Sequence, residues 1–210
     1  MTGEEAIPTN GARIFFVRHG EVHNPAGIFY GRLPRFRLSA VGRQQAAAAA
    51  RALAREPLAA IYTSPLLRTR QTGLIIAAAH PAIPLRTTRA LLEIRSRLQG
   101  QPTAALDTTG WNFYEPKLHE DDETIAVIAR RVERFCRLVV RHHPGQAVAA
   151  VTHGDIVAIA RARFEGWPLI LASLRGAVYP ATASILRATL GPDLDTIDVA
   201  AYQPPLANRA

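Results

Sequence analysis

The chain has 210 residues, 48% of them hydrophobic and 20% charged, with a net charge of +8. These values fit one globular domain and argue against a disordered chain, a collagen-like repeat or a coiled coil. A single cysteine, Cys136, excludes an intrachain disulfide and a thiolate metal cluster, and no apolar run approaches the ~20 residues of a membrane helix.

Ile14-Phe15-Phe16-Val17 is an apolar run of β-formers and predicts a buried strand ending at Arg18-His19-Gly20-Glu21. A loop with Pro25, Gly27, Gly31 and Pro34 follows. Ser39 is a good N-cap for a helix reaching about Glu56, ahead of Pro57. A second strand covers 59–63, and Ser64-Pro65 predicts the next helix as N-cap and N1, running to about Ala79. A third strand is placed near Leu85–Leu91. The stretch from Gly100 to Glu120 is irregular and reads as a small cap or lid on a single domain covering 1–210.

From Asp122 to about His142, Ile125, Ile128, Val132, Phe135 and Val139 recur at helical spacing. Arg130, Arg131, Arg134, Arg137 and Arg141 fill the rest, which reads as a solvated face. Cys136 in this helix reads as core filler. A central strand over 147–152 ends at His153-Gly154-Asp155, with a helix from Ile156 to about Phe164. Stretches 182–190 and 196–202 predict late strands, and the tail 204–210 is expected to fray. The alternation of strands and helices predicts an α/β fold with a mostly parallel sheet.

Two strands end in His-Gly followed by an acid: His19-Gly20-Glu21 and His153-Gly154-Asp155. In open α/β sheets, ligands bind beyond the carboxyl ends of the strands, so both histidines belong to one edge. Ser64 ends a third strand at that edge, and Arg68 lies one turn into its helix. Two histidines with Arg18 and Arg68 make an electropositive pocket suited to a phosphoryl group. Nearby arginines oppose imidazolium formation, which leaves a histidine neutral and nucleophilic near pH 7. The leaving alkoxide then needs a proton from a carboxylic acid nearby.

The residues resemble the histidine phosphatase superfamily, the phosphoglycerate-mutase-like fold. Arg18-His19-Gly20 is similar to its Arg-His-Gly signature. Ser64-Pro65-Leu66-Leu67-Arg68-Thr69-Arg70-Gln71-Thr72 resembles its Ser-Pro-Leu-x-Arg-x-x-Gln-Thr segment. Leu91-Leu92-Glu93 resembles the segment of its catalytic acid, and Thr152-His153-Gly154 that of its second histidine. Leu38-Ser39-x-x-Gly42-x-x-Gln45-Ala46 also fits. The run after Glu93 departs from the pattern, being shorter and lacking a Gly and a Trp found in many members. Asn24 lies one residue closer to Arg18 than the pattern implies.

The resemblance implies a three-layer α/β/α sandwich. It also implies that His19 becomes phosphohistidine, that Arg18, Arg68 and His153 bind the phosphoryl oxygens, and that Glu93 protonates the leaving group and then activates water. Asn24 is assigned to the phosphate pocket, with Gly20 and Gly154 letting backbone approach the ligand. Glu115 and Glu120 compete with Glu93 if the cap folds inward.

The expected activity is metal-independent hydrolysis of a small phosphorylated metabolite, with no cofactor. No His/Cys set has metal-ligand spacing. Alternatives are a phosphoglycerate mutase, a phosphohistidine protein phosphatase and a noncatalytic polyanion-binding protein. The mutase is disfavoured because Lys117 is the only cation in 101–120. The arginines are spread along the chain, so neither a specific nucleic-acid partner nor a membrane is expected. His80, His119, His142 and His143 read as surface residues. Met1 to Ala12 lacks an apolar leader, so a cytoplasmic protein, with a homodimer as a possible assembly, is the expectation.

Overall fold

Strands β1 (Ala12–Arg18) and β4 (Gln146–Thr152) are apolar at almost every position, as strands covered on both faces must be. In the computed structural model, which describes residues 6–115, 119–176 and 179–206, they lie at the centre of one sheet. With β2 (Leu58–Thr63), β3 (Leu85–Thr87), β5 (Ile185–Leu190) and β6 (Thr196–Tyr202), the order is β3-β2-β4-β1-β5-β6. The first four strands run parallel, and β5 and β6 are antiparallel additions on one side.

Side chains alternate between two cores. Ile14, Phe16, Tyr62, Val148 and Ala150 pack with α4 (Ile125–His142) and α5 (Gly154–Phe164). Phe15, Val17, Ile61, Ala149 and Val151 pack with α1 (Ala40–Leu53) and α2 (Leu67–Ala77). The result is the α/β/α sandwich with a mostly parallel sheet. Cys136 is fully buried and burial pushes its thiol up, as suits core filler rather than a nucleophile.

The register places the site. Arg18 pairs with Thr152, and Thr63 with Val151, so the residues that follow, His19, His153 and Ser64, emerge side by side at one edge. Between β3 and α4, a single 3-10 turn at Arg89–Leu91 leads the chain to Glu93.

Several boundaries differ from expectation, each for a local reason. Ser64 does not cap α2: its hydroxyl accepts from His153 and from Leu66 N, and the helix starts at Leu67 with no side-chain cap. α4 starts at Ile125 rather than Asp122: Thr124 caps it, while the Asp122 carboxylate accepts from the Arg97 N–H. α5 begins two residues early, at Gly154, and β3 ends at Thr87, where the 3-10 turn takes over. His143 is buried, its Nε2 2.8 Å from the Tyr62 hydroxyl, and His80 is buried too, so neither is a surface residue. Arg131 leaves the solvated stripe and turns inward to two backbone carbonyls. In the tail Pro204 is buried; residues 207–210, like Met1–Glu5 and Lys117, lie outside the described residues.

The stretch after Gly100 is less irregular than its composition suggests. It forms α3 (Thr103–Asp107) and packs on the loop after β1. Phe29 N donates to Gln101 O at 2.8 Å, and the Phe29 ring stacks on Phe113 with centroids 4.4 Å apart. A short helix, α6 (Leu171–Leu174), precedes the segment carrying Tyr179. No helix among the described residues is long and apolar enough to cross a membrane.

Gly42 lies inside α1, where alanine is intrinsically better by about 1 kcal/mol. Its Cα, however, abuts the Glu21 backbone, and an added Cβ would collide with the Glu21 carbonyl. Backbone cannot step aside as a flexible side chain can, so Gly42→Ala is expected to destabilise by about 1–3 kcal/mol. Chemical denaturation checks the sign; a gain in stability would show that the contact is soft.

Candidate active site

Arg68 organises the site. It is fully buried on the first turn of α2. Its Nε donates to His19 Nε2 at 3.1 Å, and its Nη2 lies 3.1 Å from His153 Nδ1 and 2.7 Å from the Gly31 carbonyl. Its guanidinium lies over the Tyr30 ring, 4.7 Å from the centroid. Its Nη1 has no hydrogen-bond partner among the described residues. A guanidinium only donates, so these contacts assign the imidazole protons. His19 Nδ1 lies 2.7 Å from Gly20 O and must carry the hydrogen, leaving Nε2 with its lone pair. His153 accepts from Arg68 at Nδ1, so its Nε2–H donates to Ser64 Oγ at 2.9 Å.

The electrostatics agree. Burial, then Arg68 and Arg18, hold His19 well below the usual histidine range. Burial, Arg68 and His19 do the same to His153. Glu93 moves the other way: burial and the Asp155 charge push its carboxyl up to about 7, against the pull of Arg68. Its Oε1 accepts from Ile94 N, and its Oε2 lies 3.7 Å from His153 Nδ1 and 4.0 Å from Arg68 Nη2. His19, Arg68, His153 and Glu93 are thus brought together as the sequence predicted. Glu115 and Glu120 are exposed, and Arg95 pairs with Asp121 instead of Glu93.

Arg18 lines the same cavity, its Nη1 donating to Pro180 O at 2.5 Å and its guanidinium lying over Tyr179. Asn24 also lines the cavity, but both its polar atoms are engaged in its own loop, with Ile28 N and O. The close approaches at the two glycines are to protein. A Cβ at Gly20 would strike the Gly42 carbonyl, and one at Gly154 the Tyr179 hydroxyl.

The remaining motif residues brace this centre. Thr72 Oγ1 accepts from Gly20 N, Gln71 from Leu38 N, and Gln45 from Glu21 N. Thr152 Oγ1 donates to Leu91 O and ties β4 to the segment holding the acid.

Two supports were not legible in the sequence. Arg131 donates to Ala90 O and Leu92 O, and Arg32 donates to Glu93 O; both arginines pair with Glu123. This set holds the Glu93 segment from outside. Asp155, at the start of α5, accepts from Tyr114, Tyr179 and both Nη atoms of Arg175. Only the pairing of His153-Gly154 with an acid hinted at it.

His19, His153 and Glu93 also place ligand-type atoms within 4.8 Å of one another, a cluster that no sequence spacing revealed. The lone pairs of both imidazoles point at Arg68, so the cluster is built around a cation that the chain itself supplies.

Residues 14–196 match the model of the histidine phosphatase superfamily (branch 1). The chain is 37% identical over 147 residues to the uncharacterized protein Rv0525 of Mycobacterium tuberculosis, covering 67% of this chain and 72% of that one. It is 32% identical over 149 residues to phosphoserine phosphatase 1 of Hydrogenobacter thermophilus, covering 67% and 70%. Among solved structures, the mycobacterial glucosyl-3-phosphoglycerate phosphatase Rv2419c superposes with a TM-score of 0.73 at 23% identity, over 91% of this chain and 97% of that one. The alpha-ribazole phosphatase of Shigella flexneri does so at 0.73 and 21%, over 94% and 100%; at such identities the likeness is one of fold. The chain therefore belongs to the histidine phosphatase superfamily, branch 1.

Proposed function

We propose that the protein is a metal-independent phosphomonoesterase that works through a phosphohistidine on His19. The observation that carries this reading is the neutral His19 ring, anchored at Nδ1 by Gly20 O with the Nε2 lone pair turned into a cluster of buried donors. Nε2 attacks phosphorus in line with the ester oxygen. Arg18 and Arg68 stabilise the equatorial oxygens as charge shifts among them, and His153 joins them when its hydrogen moves from Nε2 to Nδ1. The alkoxide leaves with the proton of Glu93. Water then gives its proton to the Glu93 carboxylate and attacks the phosphorus. The P–N bond breaks, releasing inorganic phosphate and neutral His19.

Hydrolysis is favoured over phosphoglycerate interconversion. A mutase must hold a carboxylate while it reorients the product. Beyond the phosphoryl site, Glu21 and Asp155 line the cavity, and Arg175 is already paired with Asp155. Lys117, outside the described residues, does not enter this argument. A protein phosphatase acting on phosphohistidine needs an open mouth, whereas Trp111 and Phe113 wall this cavity on the cap side.

Phosphate release from p-nitrophenyl phosphate in EDTA tests the reading. Wild type is expected to be active and His19→Ala to fall to background; wild-type turnover in the variant would overturn the mechanism. The pH profile tests Glu93. Its acid form prevails below about 7, so kcat/KM for an alkyl phosphate should decline above that pH. His19 is held neutral to well below 6.5 and adds no acid limb near neutrality. Glu93→Gln should erase the basic limb and slow alkyl esters by about 10²–10⁴-fold. The loss should be smaller for p-nitrophenyl phosphate, whose leaving group needs less help from an acid. An unchanged basic limb in the variant would remove Glu93 from the role.

A further inference from the structure

The phosphoryl end of the cavity is polar, but the space where a leaving group would lie is not. This cavity, of about 300 Å³, is walled by Ile28, Phe29, Tyr30, Trp111 and Phe113. It adjoins a second space of about 370 Å³ lined by Arg18, Trp111, Phe113, Arg175 and Tyr179. Trp111 borders both spaces. Its ring lies edge-on to Phe113 with centroids 6.0 Å apart.

Trp111 is held at a conformational cost. Its φ is +57°, in the left-handed region, directly after Gly110 at +59°. A large side chain occupies that region only when its surroundings compel it, and such residues cluster at ligand sites. Three bonds compel it here. Trp111 N donates to Leu106 O at 3.0 Å, and its indole Nε1 donates to Asp107 at 2.7 Å. Arg175 Nη2 donates to its carbonyl at 3.0 Å. Arg175 is in turn fixed by Asp155 and lies over the Phe113 and Tyr179 rings.

The charges around this space point one way. Of the acids lining the cavity, Asp155 is offset by Arg175 and Glu93 holds its proton in the reacting form, which leaves the Glu21 carboxylate; Arg18 lines both spaces and serves the phosphoryl site. A leaving group carrying a carboxylate would have to compete with the phosphoryl group for Arg18, because Arg175 is already paired with Asp155. A flat, uncharged aromatic group would find ring faces and edges.

We propose that Trp111, with Phe113 and Phe29, forms a leaving-group subsite that selects phosphomonoesters of alcohols bearing an uncharged aromatic ring and rejects those bearing a carboxylate. This rests on the phosphatase reading above. Trp111 sets specificity and takes no part in the chemical step.

The test compares kcat/KM for 2-phenylethyl phosphate, n-butyl phosphate and 3-phosphoglycerate, with p-nitrophenyl phosphate as a control for catalysis. All three test esters release an alkoxide, so ring chemistry is separated from leaving-group acidity. The phenylethyl ester is expected to exceed the butyl ester by about tenfold and 3-phosphoglycerate by about a hundredfold. Trp111→Leu should bring the phenylethyl-to-butyl ratio close to one, whereas Trp111→Phe should keep most of it. Each ratio is internal to one protein, so partial loss of folded enzyme does not alter it. A wild-type ratio near one, a preference for 3-phosphoglycerate, or a ratio unmoved in Trp111→Leu would overturn the subsite while His19-dependent turnover of p-nitrophenyl phosphate left the phosphatase reading standing. No turnover of any ester, the control included, would overturn both.

Discussion

A guanidinium with no exposure to solvent sits between two imidazoles, and the rest of the site is arranged around it. Burying Arg68 is costly unless its charge is stabilised and its donors are engaged. Gly31 O and the two histidine nitrogens accept its hydrogens, and the Tyr30 ring covers one face. An imidazole accepts from a guanidinium only while neutral. The arginine therefore requires the same state of His19 that nucleophilic attack requires. One interaction fixes the ring orientation, the tautomer and the charge.

That centre is possible only where three parallel strands end together. β1 delivers Arg18 and His19, β4 delivers His153, and β2 delivers Ser64 and, on the first turn of α2, Arg68. Glu93 comes from no strand. It sits just past a 3-10 turn, and its segment is held from outside by Arg32, Arg131 and Glu123. The support therefore differs: His19, His153 and Arg68 stand at strand ends or on a helix, while Glu93 is positioned by a polar network. The Asp155 network does a second task. Its charge raises the Glu93 pKa, and its bonds to Arg175, Tyr114 and Tyr179 hold the cap against the site.

Much of this was legible in the sequence because the signals were local. The apolar runs of β1 and β4, the helical spacing over 125–139 and the Ser39 cap each depend on neighbours close in the chain. His19, Arg68 and His153 could be placed at one edge because strand-end position follows from the fold class. The errors arose where a tertiary partner outbid a local preference. The Ser64 hydroxyl accepts from His153 and from Leu66 N, and α2 starts beyond it at Leu67. Asp122 turned to the Arg97 backbone, so α4 began later. His143 found Tyr62, 81 positions away, and left the surface.

Taken alone, the sequence determined the α/β class, the parallel centre of the sheet and the strand-end residues that share one edge. Periodicity and strand-end position carry that information along the chain. Only the tertiary structure decided which nitrogen of His19 keeps its lone pair, why the Glu93 carboxyl is pushed up to about 7, and what walls the cavity beside them. Those properties depend on burial and on distances between groups far apart in the chain. Arg32 and Glu123 stand 91 positions apart, and Asp155 and Arg175 20. No local pattern encodes such a pairing; packing does.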